Sequence, residues 1–261
     1  MVDGAQVTRE GDVAVLTLAR TDRSNALDER LLVALRIAVL DLADRPPRAV
    51  IVHAAGPDFC IGLDLAPENP LMGVLEAHVV KGDKYGLQER VGKLRNALDG
   101  IARLPCPVIA AIEGRCHGAG MELALAADFR VVAEGADLCL DGTGIGLVPF
   151  AGGITRLARA VGRARATEMV LLERHLSADE ALSWGLATLV APAGSALEMA
   201  HALANQLCRA PTVALQQALL ALRATEEPTD RSFASETQAA TLTMMKNFQG
   251  ALGAWRKRAW K

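Results

Sequence analysis

A chain of 261 residues has room for one large core, or one core and a small appendage, and its composition (51% hydrophobic, 22% charged) is that of a soluble globular enzyme. The formal net charge of -2 excludes the basic excess of a nucleic-acid-binding domain, and no run of roughly 18 apolar residues offers a membrane span. The start, Met1 to Gln6, lacks the basic flank and apolar core of a signal peptide. Cys60, Cys106, Cys116, Cys139 and Cys208 show no CxxC pairing and read as reduced thiols, so a cytoplasmic setting is expected.

Val7 to Leu18 alternates around a Glu10-Gly11-Asp12 turn and predicts a β-hairpin. Ala19 to Asn25 is polar and turn-like. From Asp28, Leu31, Leu32, Leu35, Val39 and Leu42 share one helical face that ends before Pro46-Pro47. Ala49 to His53 is a short buried strand leading into a glycine-containing loop, Ala54 to Leu65. Residues 66–84 carry prolines and glycines and read as an irregular, mobile insertion. A helix is expected over Tyr85 to Leu104, then a buried strand over Cys106 to Ile112, then a second glycine-rich loop, Glu113 to Glu122, opening a helix.

Phe129 to Ala133 and Asp137 to Leu140 predict short strands, and Asp141 to Pro149 a turn-rich connection. Helices follow over Gly152 to Val161, Arg163 to Leu172 and Ser177 to Trp184, the last with a strong start signal in Ser177 and Asp179-Glu180. Leu186 to Val190 is a last strand. From Ser195 the pattern is helical to the end, broken at Pro211 and Pro228. Strands alternating with helices, then a helical tail, predict an α/β fold with a core over 1–194 and a helical region over 195–261.

Both glycine loops follow strands, at Phe59 to Leu65 and His117 to Glu122. Gly118 and Gly120 allow a tight turn and leave N–H groups uncovered at a helix start. Two such junctions either permit turns only, or converge as an oxyanion hole that stabilises charge on a carbonyl oxygen. Glu122, in the first helical turn, either complements the helix dipole or serves beside those amides as a proton donor or acceptor. Asp64 is placed to cap a helix entering the insertion. His117 is an acid/base candidate or a hydrogen-bonded neighbour of the glycines. His53, His78, His175 and His201 show no HxH or HExxH spacing, so no metal site is expected. GxSxG, GxGxxG and P-loop motifs are absent. Arg256, Lys257, Arg258 and Lys261 form a basic tail, either a solvated helix end or a reach toward a ligand phosphate.

Asp22-Arg-Ser-Asn-Ala-Leu27, Phe59-Cys-Ile-Gly-Leu-Asp-Leu65, Pro107 to Ile112, Gly118 to Asp128 and Gly152-Gly-Ile-Thr-Arg-Leu157, taken in order, resemble the crotonase superfamily, the enoyl-CoA hydratase/isomerase family. Ser177 to Leu186 fits as well. The resemblance implies a spiral of β-β-α turns with a C-terminal helical region that drives assembly into a homotrimer or a dimer of trimers. It also implies an acyl-CoA thioester substrate, with coenzyme A present only as part of that substrate. Carried over by position, the oxyanion hole is formed by the N–H groups of Ile61 and Ala119. Ile61, Gly62, Leu63 and Asp64 then line the thioester and pantetheine, Asn25, Ala26 and Leu27 lie near the CoA nucleotide, and Glu122 is the first of the hydratases' two glutamates.

The second glutamate falls at Gly142. Asp141 is adjacent, but in an extended segment a one-residue offset turns a side chain to the opposite face, so only a local bulge would bring it in. The aspartate of the dienoyl-CoA isomerases falls at Phe150. A partner for Glu122 is then sought in residues 66–95, among His78, Asp83, Lys84 and Tyr85. The resemblance therefore implies hydration of a 2-enoyl-CoA, reduced or altered by the missing carboxylate. Isomerisation, decarboxylation or thioester hydrolysis through Glu122 alone is the alternative, and a non-catalytic acyl-CoA-binding homologue is the alternative of another class.

Overall fold

The computed structural model describes residues 4–226 and 230–259. Strands β1 (Ala5–Glu10) and β2 (Val13–Leu18) form the predicted hairpin. β3 (Ala49–Ala54), β4 (Val108–Ile112), β6 (Phe129–Ala133) and β8 (Leu189–Ala191) add in parallel, giving a six-stranded sheet of order β1-β2-β3-β4-β6-β8. A strand buried on both faces sends alternate side chains into two cores. Leu16, Val50, Val52, Ala110 and Ile112 join the larger core on one face, while Val15, Ile51, Ile109, Ala111 and Val131 face the other way.

The second face is closed by α7 (Ala196–Leu207), where buried Ala196, Ala200 and Ala204 let the helix lie close to the strands. The helical region predicted from 195 therefore begins inside the core. On the first face, α1 (Glu29–Asp44) is capped by Asp28, whose carboxylate accepts from Leu31 N at 2.8 Å, and buries Leu31, Leu32, Leu35 and Leu42. A smaller sheet pairs β5 (Arg115–His117) with β7 (Asp137–Cys139) in parallel. β5 lies inside the predicted glycine loop.

Residues 66–84 are not an irregular insertion. They contain α2 (Pro70–Val80), followed at once by α3 (Lys84–Ala102). Asn69 caps α2 by accepting from Leu71 N at 3.1 Å, and Pro70 occupies the first turn, where its missing N–H costs nothing. Leu71, Met72 and Leu75 are buried. The segment is apolar nearly all round, so helical periodicity is weak and the prolines and glycine dominate its appearance in the sequence.

α4 (Ala119–Leu125) is the short helix after the glycine cluster. The two predicted helices at 152–161 and 163–172 form one element, α5 (Gly153–Leu171), interrupted at Gly162. α6 (Ala178–Ser183) begins with the expected capping box between Ser177 and Glu180. The last strand starts at Leu189, three residues later than predicted. α8 (Thr212–Glu226), α9 (Asp230–Thr243) and α10 (Gln249–Ala259) complete the described chain, and Pro228 lies outside the described residues. Arg223 anchors α8 through paired bonds to Asp128 at 2.9 and 2.6 Å, with a third to Leu104 O. No helix among the described residues is long and apolar enough to cross a membrane.

Candidate active site

The loop after β3 is stitched to both neighbours by main-chain bonds. Phe59 N donates to Glu113 O (2.9 Å), Cys60 N to Arg115 O (3.1 Å) and His117 N to Cys60 O (2.9 Å). On the other side, Leu27 N donates to Gly62 O (2.7 Å) and Asp64 N to Leu27 O (3.0 Å). The glycine-rich junction then folds against this loop. A Cβ on Gly120 would come within 2.2 Å of Cys60 O, so only glycine lets the start of α4 lie there. Ala119 is the first residue of α4, where amides have no intrahelical acceptor. Ile61 N lies 3.3 Å from Ser24 O, at the long limit for such a bond.

Glu122 is 1% exposed. Its Oε1 accepts from Ala151 N at 2.7 Å and Gly153 N at 3.0 Å, at the N-terminus of α5, where backbone dipoles favour negative charge. That turn is itself braced. Arg156 donates to Ala151 O at 2.8 Å and pairs with the buried Asp99 of α3 at 2.5 Å.

The opposite wall is a loop. The chain leaves β7 at Cys139 and reaches Gly142 with φ 139 and ψ -26, a conformation rare for L side chains. Glu173 holds this loop by accepting from Gly142 N (2.9 Å), Gly144 N (2.7 Å) and Thr143 Oγ1 (3.1 Å). Gly142 is therefore not extended, which is the kind of local departure that would let Asp141 turn toward the site. Asp141 Oδ1 lies 3.0 Å from where a Cβ on Gly118 would sit. Burial above all pushes the Asp141 carboxyl up from its ordinary value. Nearby Glu173 adds to this, while His117 and His175 oppose it.

These elements line a chamber of about 70 Å³ bordered by Ile61, Gly62, Ala119, Glu122, Asp141 and Phe150. It shares Ile61, Leu63, Asp141 and Gly142 with a larger cavity of about 670 Å³ that reaches Arg23, Ser24, Ala26, Asp64, Glu173 and Trp255. Of the residues singled out in the sequence, the structure thus brings together Glu122, Ile61, Ala119, Gly62, Leu63, Asp64 and Ala26. Asn25 and Leu27 line neither cavity. Asn25 is fully buried, its side chain accepting from Arg20 N and donating to Ala55 O and Asp58 O. Leu27 bridges to Leu63.

Asp64 does not cap a helix; it pairs with Arg20 at 2.6 Å and accepts from Ala66 N. Nor do the insertion candidates reach either cavity. His78 and Asp83 bond each other at the α2–α3 corner (3.0 Å), Lys84 is exposed and Tyr85 is 86% exposed. Arg256 is held by protein partners rather than freely solvated. It donates twice to Leu65 O, at 3.1 and 3.0 Å, and pairs with Glu76, drawing α10 over the site. Lys257 is exposed, and the side chains of Arg258 and Lys261 lie outside the described residues. Glu173 and Trp255 escaped sequence reading, because each belongs to the site only through contacts far along the chain.

The family model for enoyl-CoA hydratase/isomerase matches residues 8–255. The chain belongs to the enoyl-CoA hydratase/isomerase family. It is 36% identical over 231 residues to a carnitinyl-CoA dehydratase of Salmonella typhi, covering 87% of this chain and 83% of that protein. An enoyl-CoA isomerase/hydratase of Mycosarcoma maydis is 35% identical over 217 residues, covering 79% and 75%. Among solved structures, an enoyl-CoA hydratase from Mycobacterium avium subsp. paratuberculosis K-10 superposes with a TM-score of 0.82 at 30% identity, covering 97% of this chain and 99% of that one. A Thermobifida fusca YX protein of the enoyl-CoA hydratase type, solved in complex with CoA, gives 0.74 at 26% identity, covering 92% of each. The α/β architecture is the crotonase fold, and the chain is an enzyme of this family. The enoyl-CoA hydratase/isomerase family acts on acyl-CoA thioesters.

Proposed function

We propose that this chain hydrates 2-enoyl-CoA thioesters, with Glu122 and Asp141 as the acid–base pair. The observation that carries this reading is that Glu122 and Asp141 line one small chamber with Ile61 and Ala119. The thioester oxygen takes hydrogen bonds from the Ile61 and Ala119 amides, which stabilise the enolate as charge develops. Ile61 N gives up its long contact with Ser24 O to do so. Glu122 removes a proton from water as the oxygen bonds to C3, and Asp141 delivers a proton to C2. Exchange with solvent returns both groups to their starting state. Two carboxyl groups in different environments suit the two roles: amides face Glu122, whereas burial keeps Asp141 protonated to higher pH.

The pantetheine lies along Ile61 to Asp64 and the nucleotide near Ser24 and Ala26 in the larger cavity. The reaction needs no cofactor beyond the CoA of its substrate. Assembly into a homotrimer or dimer of trimers uses the C-terminal helices, where Val213, Leu220 and Leu222 of α8 are exposed. A second reading, double-bond isomerisation by Glu122 alone, is supported by the name of the Mycosarcoma relative.

Incubation with crotonyl-CoA in ¹⁸O-water, read by mass spectrometry, tests the reading. Hydration gives a 3-hydroxyacyl-CoA carrying one heavy oxygen. A shifted double bond without oxygen uptake, a shortened acyl chain or free CoA contradicts it in favour of isomerisation, decarboxylation or hydrolysis. Saturable binding of a panel of thioesters without any product marks a non-catalytic homologue.

A further inference from the structure

On β5, immediately before Gly118, three side chains from three distant segments meet. His117 ends β5, Asp137 begins β7, and His175 lies between α5 and α6. Asp137 Oδ2 is 3.0 Å from His117 Nε2, and the two Asp137 oxygens are 2.8 and 2.9 Å from His175 Nδ1. The imidazoles stand edge to face, 5.2 Å between centroids, and one ligand atom from each of the three residues lies within 4.8 Å of the others. None of the three lines the chamber or the larger cavity.

We propose that His117, Asp137 and His175 form a binding site for a divalent transition-metal ion of the zinc type. The donor set is the first argument: two imidazole nitrogens and one carboxylate oxygen suit zinc, cobalt or nickel, whereas calcium and magnesium prefer all-oxygen shells. Spacing is the second. With metal–ligand bonds of about 2.0–2.1 Å, the edge of a tetrahedron is roughly 3.3 Å, so the histidine–aspartate contacts of 2.8–3.0 Å open by a few tenths of an ångström and the two ring nitrogens, within 4.8 Å of each other, settle at the same edge.

Access is the third argument. The His175 side chain is 57% exposed and that of Asp137 39%, which leaves an open side for entry and for a water in the fourth position. The surrounding charge comes from Asp141 and Glu173 on one sign and Arg115 on the other. Sequence spacing missed the group because 20 residues separate His117 from Asp137 and 38 separate Asp137 from His175.

Bound metal would join three parts of the enzyme. The His117 amide already donates to Cys60 O, and its peptide leads directly to Gly118 and Ala119. His175 follows, two residues on, the Glu173 that pins Gly142. The ion therefore clamps the segment carrying the Ala119 amide to the loop carrying Asp141, and tightens the wall between them.

The test uses the full chain, stripped with a chelator and titrated with Co(II) and then Zn(II), and does not depend on knowing the substrate. Calorimetry is expected to give one ion per chain. The imidazole NMR signals of His117 and His175 should shift, while those of His53, His78 and His201 stay in place. His175→Ala, at an exposed position, is expected to lower affinity at least about tenfold without changing the metal-free melting temperature. Asp137→Asn should do the same, and if that variant does not fold, His175→Ala decides alone. Absence of saturable binding by the wild type, or unchanged affinity in His175→Ala, overturns the proposal.

Discussion

Glu122 and Asp141 line one chamber, on walls of different construction. Glu122 sits on a helix, fully buried, with one oxygen held by two amides whose turn is braced by Arg156 and Asp99. Asp141 sits on a loop that owes its shape to a positive-φ glycine and to one carboxylate, Glu173. Both walls withhold solvent; the first offsets this with two amides that stabilise charge, whereas at the second burial prevails and favours the neutral form. In the proposed mechanism, that contrast gives two chemically similar side chains opposite parts in one proton transfer.

The largest break in this contrast comes from Glu122→Gln. The amide oxygen still accepts from Ala151 and Gly153, so the melting temperature should hardly move, whereas turnover of a 2-enoyl-CoA should fall by about 10²- to 10⁴-fold. Steady-state rates beside a thermal melt check both halves.

Asp141→Asn should cost less, about 10²-fold, since the amides and Glu122 remain. Its signature is in the pH profile. An acid must be protonated to act, so the wild-type rate should fall as pH rises through the raised pKa of Asp141, and the variant's residual rate should lack that limb.

Gly142→Glu sharpens the comparison further. From sequence alone this change restores a second glutamate, and a gain in hydratase rate would follow. The structure gives a different expectation, because φ 139 strains any side chain there and Glu173 grips the Gly142 amide. We expect a stability loss of about 1–3 kcal/mol and no gain in turnover, read from urea unfolding and from rates at the same temperature.

The smallest effect concerns the amide-bearing wall. Asp58 ties the loop before Cys60 to Arg115 of β5 through paired bonds of 2.9 and 2.6 Å. Those bonds to Arg115 chiefly hold its carboxyl down, at about 2, against an ordinary value of 3.8. The folded value is the lower one, so this stability is present above the ordinary value and lost as pH falls through about 2. At most about 2 kcal/mol is involved, less because Arg115 is half exposed. Unfolding from pH 5 downward should therefore show a steeper acid loss in the wild type than in Asp58→Asn.

Legibility in the sequence followed the range of the interactions. The hairpin, α1 with its Asp28 cap, the buried strands β3 and β4, and the capping box of α6 are local patterns, and the chain announces them. The glycine junctions were legible as strand-to-turn-to-helix transitions, and Glu122 as an acid in a first turn. α2 was hidden by its uniform apolarity, and β5 by the glycines around it. The shape of the loop that follows Asp141 depends on Glu173, about thirty residues further on, and the His117–Asp137–His175 group depends on three segments meeting. No window of sequence contains those contacts.

The most direct test of the central claim is a crystal structure with acetoacetyl-CoA bound. The thioester oxygen is expected within hydrogen-bonding distance of both Ile61 N and Ala119 N, with the Glu122 and Asp141 carboxyl groups flanking C2 and C3. A thioester oxygen elsewhere, with Ile61 N still directed at Ser24 O or Asp141 turned to solvent, would contradict it.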